Sequence, residues 1–187
     1  MKSFEKNISS LFIIYKFSKK LFLIFFNTSL YSSTFEMTLM IELNFSNKYR
    51  HKINLIDNKK YIFDPVRKKN ILLTNEEWVR QNVISFLNKD LHIPLSHIAV
   101  EKGFVFNKLK KRFDLVVFDI NGKLKIIIEC KSPNINLGQK SLDQLLIYNM
   151  KLNSKYLMLS NGLRHIFMKF ETSNFTTIKN LPTYSEL

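Results

Sequence analysis

The run from Arg112 to Lys131 constrains the fold of this chain more than any other stretch. Arg112-Phe-Asp-Leu-Val-Val-Phe-Asp-Ile120 and Lys123-Leu-Lys-Ile-Ile-Ile-Glu-Cys-Lys131 are β-rich segments separated only by Asn121-Gly122. Asn-Gly is the dipeptide best suited to a two-residue hairpin turn, which needs positive φ at both positions. With that turn, Ile120 faces Lys123, and counting back along both strands puts Asp114 directly opposite Glu129. Side chains alternate across a strand, so Lys131 shares the face of Glu129 and stands opposite Arg112. The other face collects Phe113, Leu115, Val117, Leu124, Ile126, Ile128 and Cys130, an unbroken apolar surface. One side of the hairpin is expected to be core, while the other ends in two carboxylates and a lysine.

Carboxylates directly across an antiparallel pair have Cβ atoms about 5 Å apart, where like charges destabilise the sheet. A divalent cation is the natural compensation. Mg²⁺ prefers oxygen ligands and commonly binds through one or two carboxylates plus substrate phosphates; it can lower the pKa of a water and offset charge on a phosphate. Lys131, a compact cation two residues along, is placed to orient an attacking water or to stabilise charge on phosphate oxygens. The competing reading is a solvated pairing of Asp114 with Arg112 or Lys131, which is common and contributes little. The position of both acids at the far end of an apolar hairpin favours the chemical reading.

The surrounding sequence reads as an α/β domain. Tyr61 to Asp64 is a short strand closed by Pro65, which cannot donate to a sheet ladder, and Asn70 to Leu73 is its expected partner. Thr74 through Leu87 reads as a helix, with Thr74 and Glu77 at capping-box spacing and Val79, Val83, Phe86 and Leu87 on one face. Beyond Pro133, Leu142, Leu145, Leu146 and Met150 mark a second amphipathic helix, followed by a strand from Lys155 to Ser160, another Asn-Gly pair at 161 and 162, and a return strand from Arg164 to Glu171. The order strand, helix, strand from Lys123 to Ser160 has the length of a crossover that sets its two strands parallel.

Residues 1–39 differ in character: two short apolar runs, Leu11 to Tyr15 and Leu21 to Phe26, flank a basic stretch. Neither is long enough to span a bilayer, so no stable membrane insertion is expected. The segment reads as an upstream extension from a misassigned start, an export signal or a surface-binding helix, with the domain proper beginning at Met40 and running to residue 187. The formal net charge of +14 points to a polyanionic partner, and removing residues 1–39 still leaves 24 Lys plus Arg against 13 Asp plus Glu. An AT-rich coding sequence would also enrich lysine, which weakens the charge as a binding signal. The single cysteine, Cys130, excludes an intramolecular disulfide and a multi-cysteine zinc site, and fits a cytoplasmic location.

Asp114, then Glu129-Cys130-Lys131, then Gln144-Leu-Leu-Ile-Tyr148 in the next helix, resembles the D, E-x-K and Q-x-x-x-Y series of the PD-(D/E)xK nuclease superfamily, particularly its RecB-like branch. Phe63-Asp-Pro-Val-Arg-Lys-Lys69, Leu73-Thr-Asn-Glu-Glu-Trp-Val-Arg-Gln81, Lys111-Arg-Phe-Asp114 and Ile128-Glu-Cys-Lys-Ser-Pro133 resemble small stand-alone proteins related to the N-terminal nuclease domain of type I restriction enzyme R subunits. The likeness extends from about Met40 to Tyr184. It implies a restriction-endonuclease-like fold, a mixed central sheet flanked by helices with the D and E-x-K residues on a β-hairpin. It also implies Mg²⁺ or Mn²⁺ held by Asp114 and Glu129, a catalytic Lys131, and support from Gln144 and Tyr148 at i and i+4 of one helix. An acidic residue of the first helix, Glu77 or Glu76, is the implied auxiliary metal ligand, and for Glu77 the capping box with Thr74 is the competing role. Phe113 stands where the superfamily name has proline.

Lys108, Lys110, Lys111 and Arg112 form a basic run just before Asp114 and are expected to contact DNA phosphates, although a solvated strand approach explains them as well. Four histidines show no metal-ligand spacing, and no phosphate-binding Gly-rich loop occurs in a chain with only four glycines. ATP-driven translocation would therefore come from a separate motor or specificity subunit. The expected function is Mg²⁺-dependent DNA cleavage; a DNA-binding or partner-binding module of the same fold is the alternative.

Overall fold

The computed structural model describes residues 40–106, 109–171 and 174–187, apart from the side chains of 104–111, 148 and 151, and the unit treated below is Ile41–Leu187. The N-terminal segment 1–39 and Lys108 lie outside the described residues. Three short strands, β1 (Ile53–Ile56), β2 (Lys59–Asp64) and β3 (Lys69–Leu72), form a small antiparallel sheet in that order. The β2–β3 turn is built by Asp64, whose Oδ1 accepts the backbone N–H groups of Val66 and Arg67 at 2.7 and 2.8 Å, while Pro65, just before them, carries no donor.

Helix α1 (Asn75–Ser85) follows at once. Thr74 caps it, its Oγ1 accepting the Glu77 N–H at 3.1 Å, and the helix ends by widening into one π turn, Phe86–Asp90, in which Leu91 N–H reaches Phe86 O at 3.2 Å. The helical pattern in the sequence therefore covers an α-helix and a differently wound final turn.

The main sheet has six strands in sequential order: β4 (Ile98–Phe106), β5 (Leu109–Phe118), β6 (Leu124–Cys130), β7 (Tyr156–Ser160), β8 (His165–Glu171) and β9 (Asn174–Ile178). Every neighbouring pair is antiparallel except β6–β7, which is parallel and joined by the crossover helix α2 (Gln139–Leu152). Alternating residues divide the core between the two faces. Leu115, Val117, Ile126, Ile128 and Cys130 pack under α1 with Val79, Val83, Ile84 and Leu87, whereas Val116, Ile127, Leu157 and Leu159 pack under α2 with Leu145. The result is a mixed sheet between two helical layers. Among the described residues no helix is long and apolar enough to cross a membrane.

Two details of the β5–β6 hairpin correct the sequence reading. Away from the turn the pairs are Leu115–Ile128, Val116–Ile127 and Val117–Ile126, as counted from the sequence, but nearer the turn Phe118 pairs with Leu124 after a register shift. The loop has three residues: Asp119 N–H donates to Lys123 O, Gly122 N–H returns to Asp119 O at 3.0 Å, and Gly122 alone within the loop takes positive φ, +72°. This is a type I turn completed by a left-handed glycine, so Ile120 does not face Lys123. Asp119 selects it, because its Oδ1 accepts the N–H groups of Asn121 and Lys123 at 2.9 Å each.

The second correction concerns the apolar face. The one-residue slip near the turn sends Leu124 to the α2 side with Phe118. Phe113 also packs on the α2 side. In the β4–β5 ladder, Val100–Leu115 and Lys102–Phe113 pair but Glu101 and Asp114 do not, and Glu101 has φ +54°. The alternation of β5 is lost across this irregularity, beside the candidate site.

Candidate active site

The site lies where β5 and β6 leave their shared ladder. Beyond the Leu115–Ile128 pair, the Asp114 side chain takes over from the backbone: its Oδ2 accepts the Cys130 N–H at 2.7 Å. A carboxylate that accepts a main-chain donor is held in place by the sheet itself. Its Oδ1 accepts Arg80 Nη2 from α1 at 2.9 Å. On β6, Glu129 Oε1 accepts Lys131 Nζ, an i,i+2 contact along one side of the strand. Asp114 and Glu129 are partly open, with side-chain exposures of 16% and 21%.

These groups perturb one another. Burial, then the charge of Asp114, pushes the Glu129 carboxyl above its ordinary pKa despite the opposing hydrogen bond from Lys131. For Lys131 burial acts against the charge, but the hydrogen bond and charge of Glu129 outweigh it and the net shift is upward. Glu76 of α1 acts on both, raising each. Cys130, between the acid and the lysine, is fully buried with its thiol pKa pushed well up by burial, so it packs and does not react.

A second acidic group lies deeper, on the other side of Arg80. Glu77 is 3% exposed; its Oε1 accepts Arg67 Nη2 at 2.6 Å and Gln81 Nε2 at 2.9 Å, and its Oε2 accepts Arg80 Nη1. Asp64, fully buried, accepts Arg67 Nε at 2.6 Å and Gln81 Nε2 at 2.9 Å through Oδ2. Arg67 reaches on to Glu101 at 3.2 Å, and Glu101 to the exposed Arg112 at 3.2 Å. The capping box is thus only half formed: Glu77 gives its N–H to Thr74, but its carboxylate turns inward to the arginines.

The structure brings Asp114, Glu129, Lys131 and Glu76 together. Glu76 Oε1 shares Arg80 Nη2 with Asp114, at 3.1 Å, whereas the carboxylate of Glu77 is committed to Arg67, Arg80 and Gln81. Gln144 is exposed on α2, one turn before Tyr148, whose side chain lies outside the described residues. Lys110 and Lys111 pair with Val105 and Phe104 at the far end of the β4–β5 ribbon; their side chains also lie outside the described residues. Sequence reasoning gave no role to Arg67, Arg80, Gln81 or Asp64. The signal for Arg80 was its spacing, three residues after Glu77 and four after Glu76, beside the apolar positions of α1.

Among the described residues no group of three or more His, Cys, Asp or Glu side chains is gathered closely enough to hold a metal ion. Asp114 and Glu129 offer two carboxylates there, and both Asp114 oxygens are engaged by protein donors.

The model of the type I restriction enzyme R protein N terminus (HSDR_N) matches residues 75–182, more than half of the chain, and the chain belongs to that family. The match contains α1, the β5–β6 hairpin and α2, and so every residue of the site except Arg67 and Asp64. Among solved structures, a fragment assigned as an HsdR subunit of a type I restriction enzyme from Vibrio vulnificus YJ016 is 21% identical, with a TM-score of 0.48, over 62% of this chain and 24% of that one. This chain therefore spans about a quarter of that relative. No curated protein matches.

Proposed function

We propose that this domain is a divalent-cation-dependent nuclease that hydrolyses DNA phosphodiester bonds at Asp114, Glu129 and Lys131. The observation that carries the reading is that Asp114, held by the Cys130 N–H just past the end of the β5–β6 ladder, lies close enough to Glu129 for its charge, after burial, to push the Glu129 carboxyl upward, beside a lysine held in its charged form. Such a pair costs stability unless positive charge offsets it, and a bound dication would add to what Arg80 and Lys131 supply. Asp114 and Glu129 would hold Mg²⁺ or Mn²⁺, with Glu76 rather than Glu77 as the helix-borne acid nearest to them. The bound cation supplies Lewis acidity toward a phosphate and its attacking water.

The chain's own residues have distinct parts. The Cys130 N–H fixes one oxygen of Asp114, so that carboxylate cannot rotate away. Lys131, released from Glu129, offers its ammonium protons to a water or to phosphate oxygens where negative charge gathers. The buried thiol of Cys130 anchors the strand between them on the α1 side of the core. Gln144 and Tyr148 would support the site from α2, and Arg112 with Lys108, Lys110 and Lys111 would meet DNA phosphates. A motor or specificity subunit would be a separate partner.

A binding module of the same fold is the second reading, favoured by the engagement of both Asp114 oxygens with protein donors. Incubation of the full chain with supercoiled and single-stranded DNA, in Mg²⁺, Mn²⁺ or EDTA, separates the two. Cation-dependent nicking that disappears in Glu129→Ala and Lys131→Ala supports the nuclease; DNA binding unchanged by Asp114→Ala, without any cleavage, supports the module.

A further inference from the structure

Arg80 occupies the boundary between the two acidic groups. Its Nη1 goes to Glu77, in the buried group, and its Nη2 is shared by Asp114 Oδ1 at 2.9 Å and Glu76 Oε1 at 3.1 Å. The side chain is 8% exposed, and its Nε is buried without a hydrogen-bond partner among the described residues. A buried N–H left unpaired is unfavourable, because it has given up its water without gaining a partner. The guanidinium therefore accepts a poor fit at Nε in order to reach carboxylates on both sides. Its charge already neutralises the two oxygens that face the candidate site from α1 and β5.

We propose that Arg80 is the resident counter-ion of this site, holding Asp114 and Glu76 in the cation-free protein and yielding Asp114 Oδ1 when a divalent cation binds. The inference rests on the nuclease reading above. Glu77 makes the exchange feasible, because it keeps Nη1 paired while Nη2 is given up, so the arginine is never left as an isolated buried charge. A dication entering beside Arg80 meets both a competitor for its ligand and a like charge at short range. Arg80 thereby sets the cation concentration at which the site becomes occupied. Below that concentration Asp114 is masked by the protein itself.

Mn²⁺ binding by the full chain, measured by titration calorimetry without DNA, tests this in wild type, Arg80→Gln, Arg80→Lys and Glu129→Gln. Arg80→Gln removes the charge but retains an amide donor, and Glu77 keeps Arg67 and Gln81. The expected result is Mn²⁺ binding about tenfold tighter in Arg80→Gln, with a larger Mn²⁺-induced rise in Tm than in wild type, and affinity close to wild type in Arg80→Lys, which keeps the charge. Unchanged or weaker binding in a folded Arg80→Gln overturns the proposal and makes Arg80 an organiser of Asp114. If Arg80→Gln does not fold, the guanidinium NMR signals of wild-type Arg80 decide: a shift on adding Mg²⁺ supports the exchange and an unmoved signal overturns it. Wild-type binding lost in Glu129→Gln leaves the site reading intact whatever Arg80 does. Absence of Glu129-dependent Mn²⁺ binding in wild type removes the site reading and this inference with it.

Discussion

Two acidic pairs flank Arg80, and they are built to opposite specifications. Asp64 and Glu77 are shut away from water and saturated: between them they accept from Arg67, Arg80, Gln81 and two backbone amides. Asp114 and Glu129 are partly open, and between them they accept from one arginine, one main-chain amide and one lysine. Burial with full compensation makes an acid into structure, since removing one member leaves uncompensated charge. Partial burial with incomplete compensation keeps an acid available for exchange with a ligand. The same residue types thus occur in two settings, one closed and fully paired, the other partly open, where the proposed chemistry would take place.

The largest test of this contrast is Glu129→Gln. Cleavage should fall by on the order of a thousandfold, while the thermal midpoint holds or rises because a repelling charge has been removed. A clear loss of stability would place Glu129 with the structural pair. Glu77→Gln should behave in the opposite way, losing about 3 kcal/mol in urea unfolding because Arg67 and Arg80 forfeit a buried partner. Cleavage per folded molecule should survive that substitution, and its abolition would make Glu77 part of the chemistry. The smallest effect is a titration. In EDTA the Glu129 carboxyl should titrate above its ordinary range, and Asp114→Asn should bring it part of the way down, leaving the shift due to burial. The sign carries into stability. With the folded pKa raised, the native state holds the extra proton between the ordinary and the raised value, so this group's stabilising contribution is present at low pH and is lost as pH rises through the raised midpoint. Asp114→Asn should flatten that slope in pH-dependent unfolding, and an unchanged slope would mean that Asp114 does not act on Glu129.

Much of this arrangement was legible in the chain because it depends on short-range periodicity. The cap at Thr74, the α1 and α2 patterns, the parallel crossover and the strands carrying Asp114 and Glu129 all follow from local spacing. The missed parts depend on distant partners. β4 does not alternate cleanly because Glu101 adopts φ +54° in its middle, opposite Asp114, and no local rule anticipates a left-handed glutamate there. Asn121-Gly122 suggested a two-residue turn, but Asp119, one residue outside the window, redirected the loop through its own carboxylate. Asp64 reads as the end of a strand and is the last residue of β2, yet the contacts that it and Arg67 make with Gln81 and Glu77 of α1 appear only when β2 lies beside the helix. The different surroundings of Glu76 and Glu77, both left open by the sequence as the helix-borne acid, have the same origin. Both contact Arg80, but only Glu77 also meets Arg67, whose position no local spacing in α1 gives away.

The segment just before the first strand has no regular structure, yet it is stitched in place. Asn44 N–H donates to Gly162 O at 2.7 Å, Asn44 O accepts His165 Nε2 at 2.8 Å, and Trp78 Nε1 donates to Ile41 O at 3.0 Å. Leu43 leans so closely over Gly162 that a Cβ there would come within 2.6 Å of its Cδ2. These stitches run to α1, which carries Arg80, and to the β7–β8 turn, next to the strand that pairs with Glu129. In a proteolysis experiment the strap should resist cutting as firmly as the sheet. A shortened chain begun at Lys48 would leave a groove along α1 and loosen the helix that presents the arginine, whereas one begun at Met40 would retain the seam.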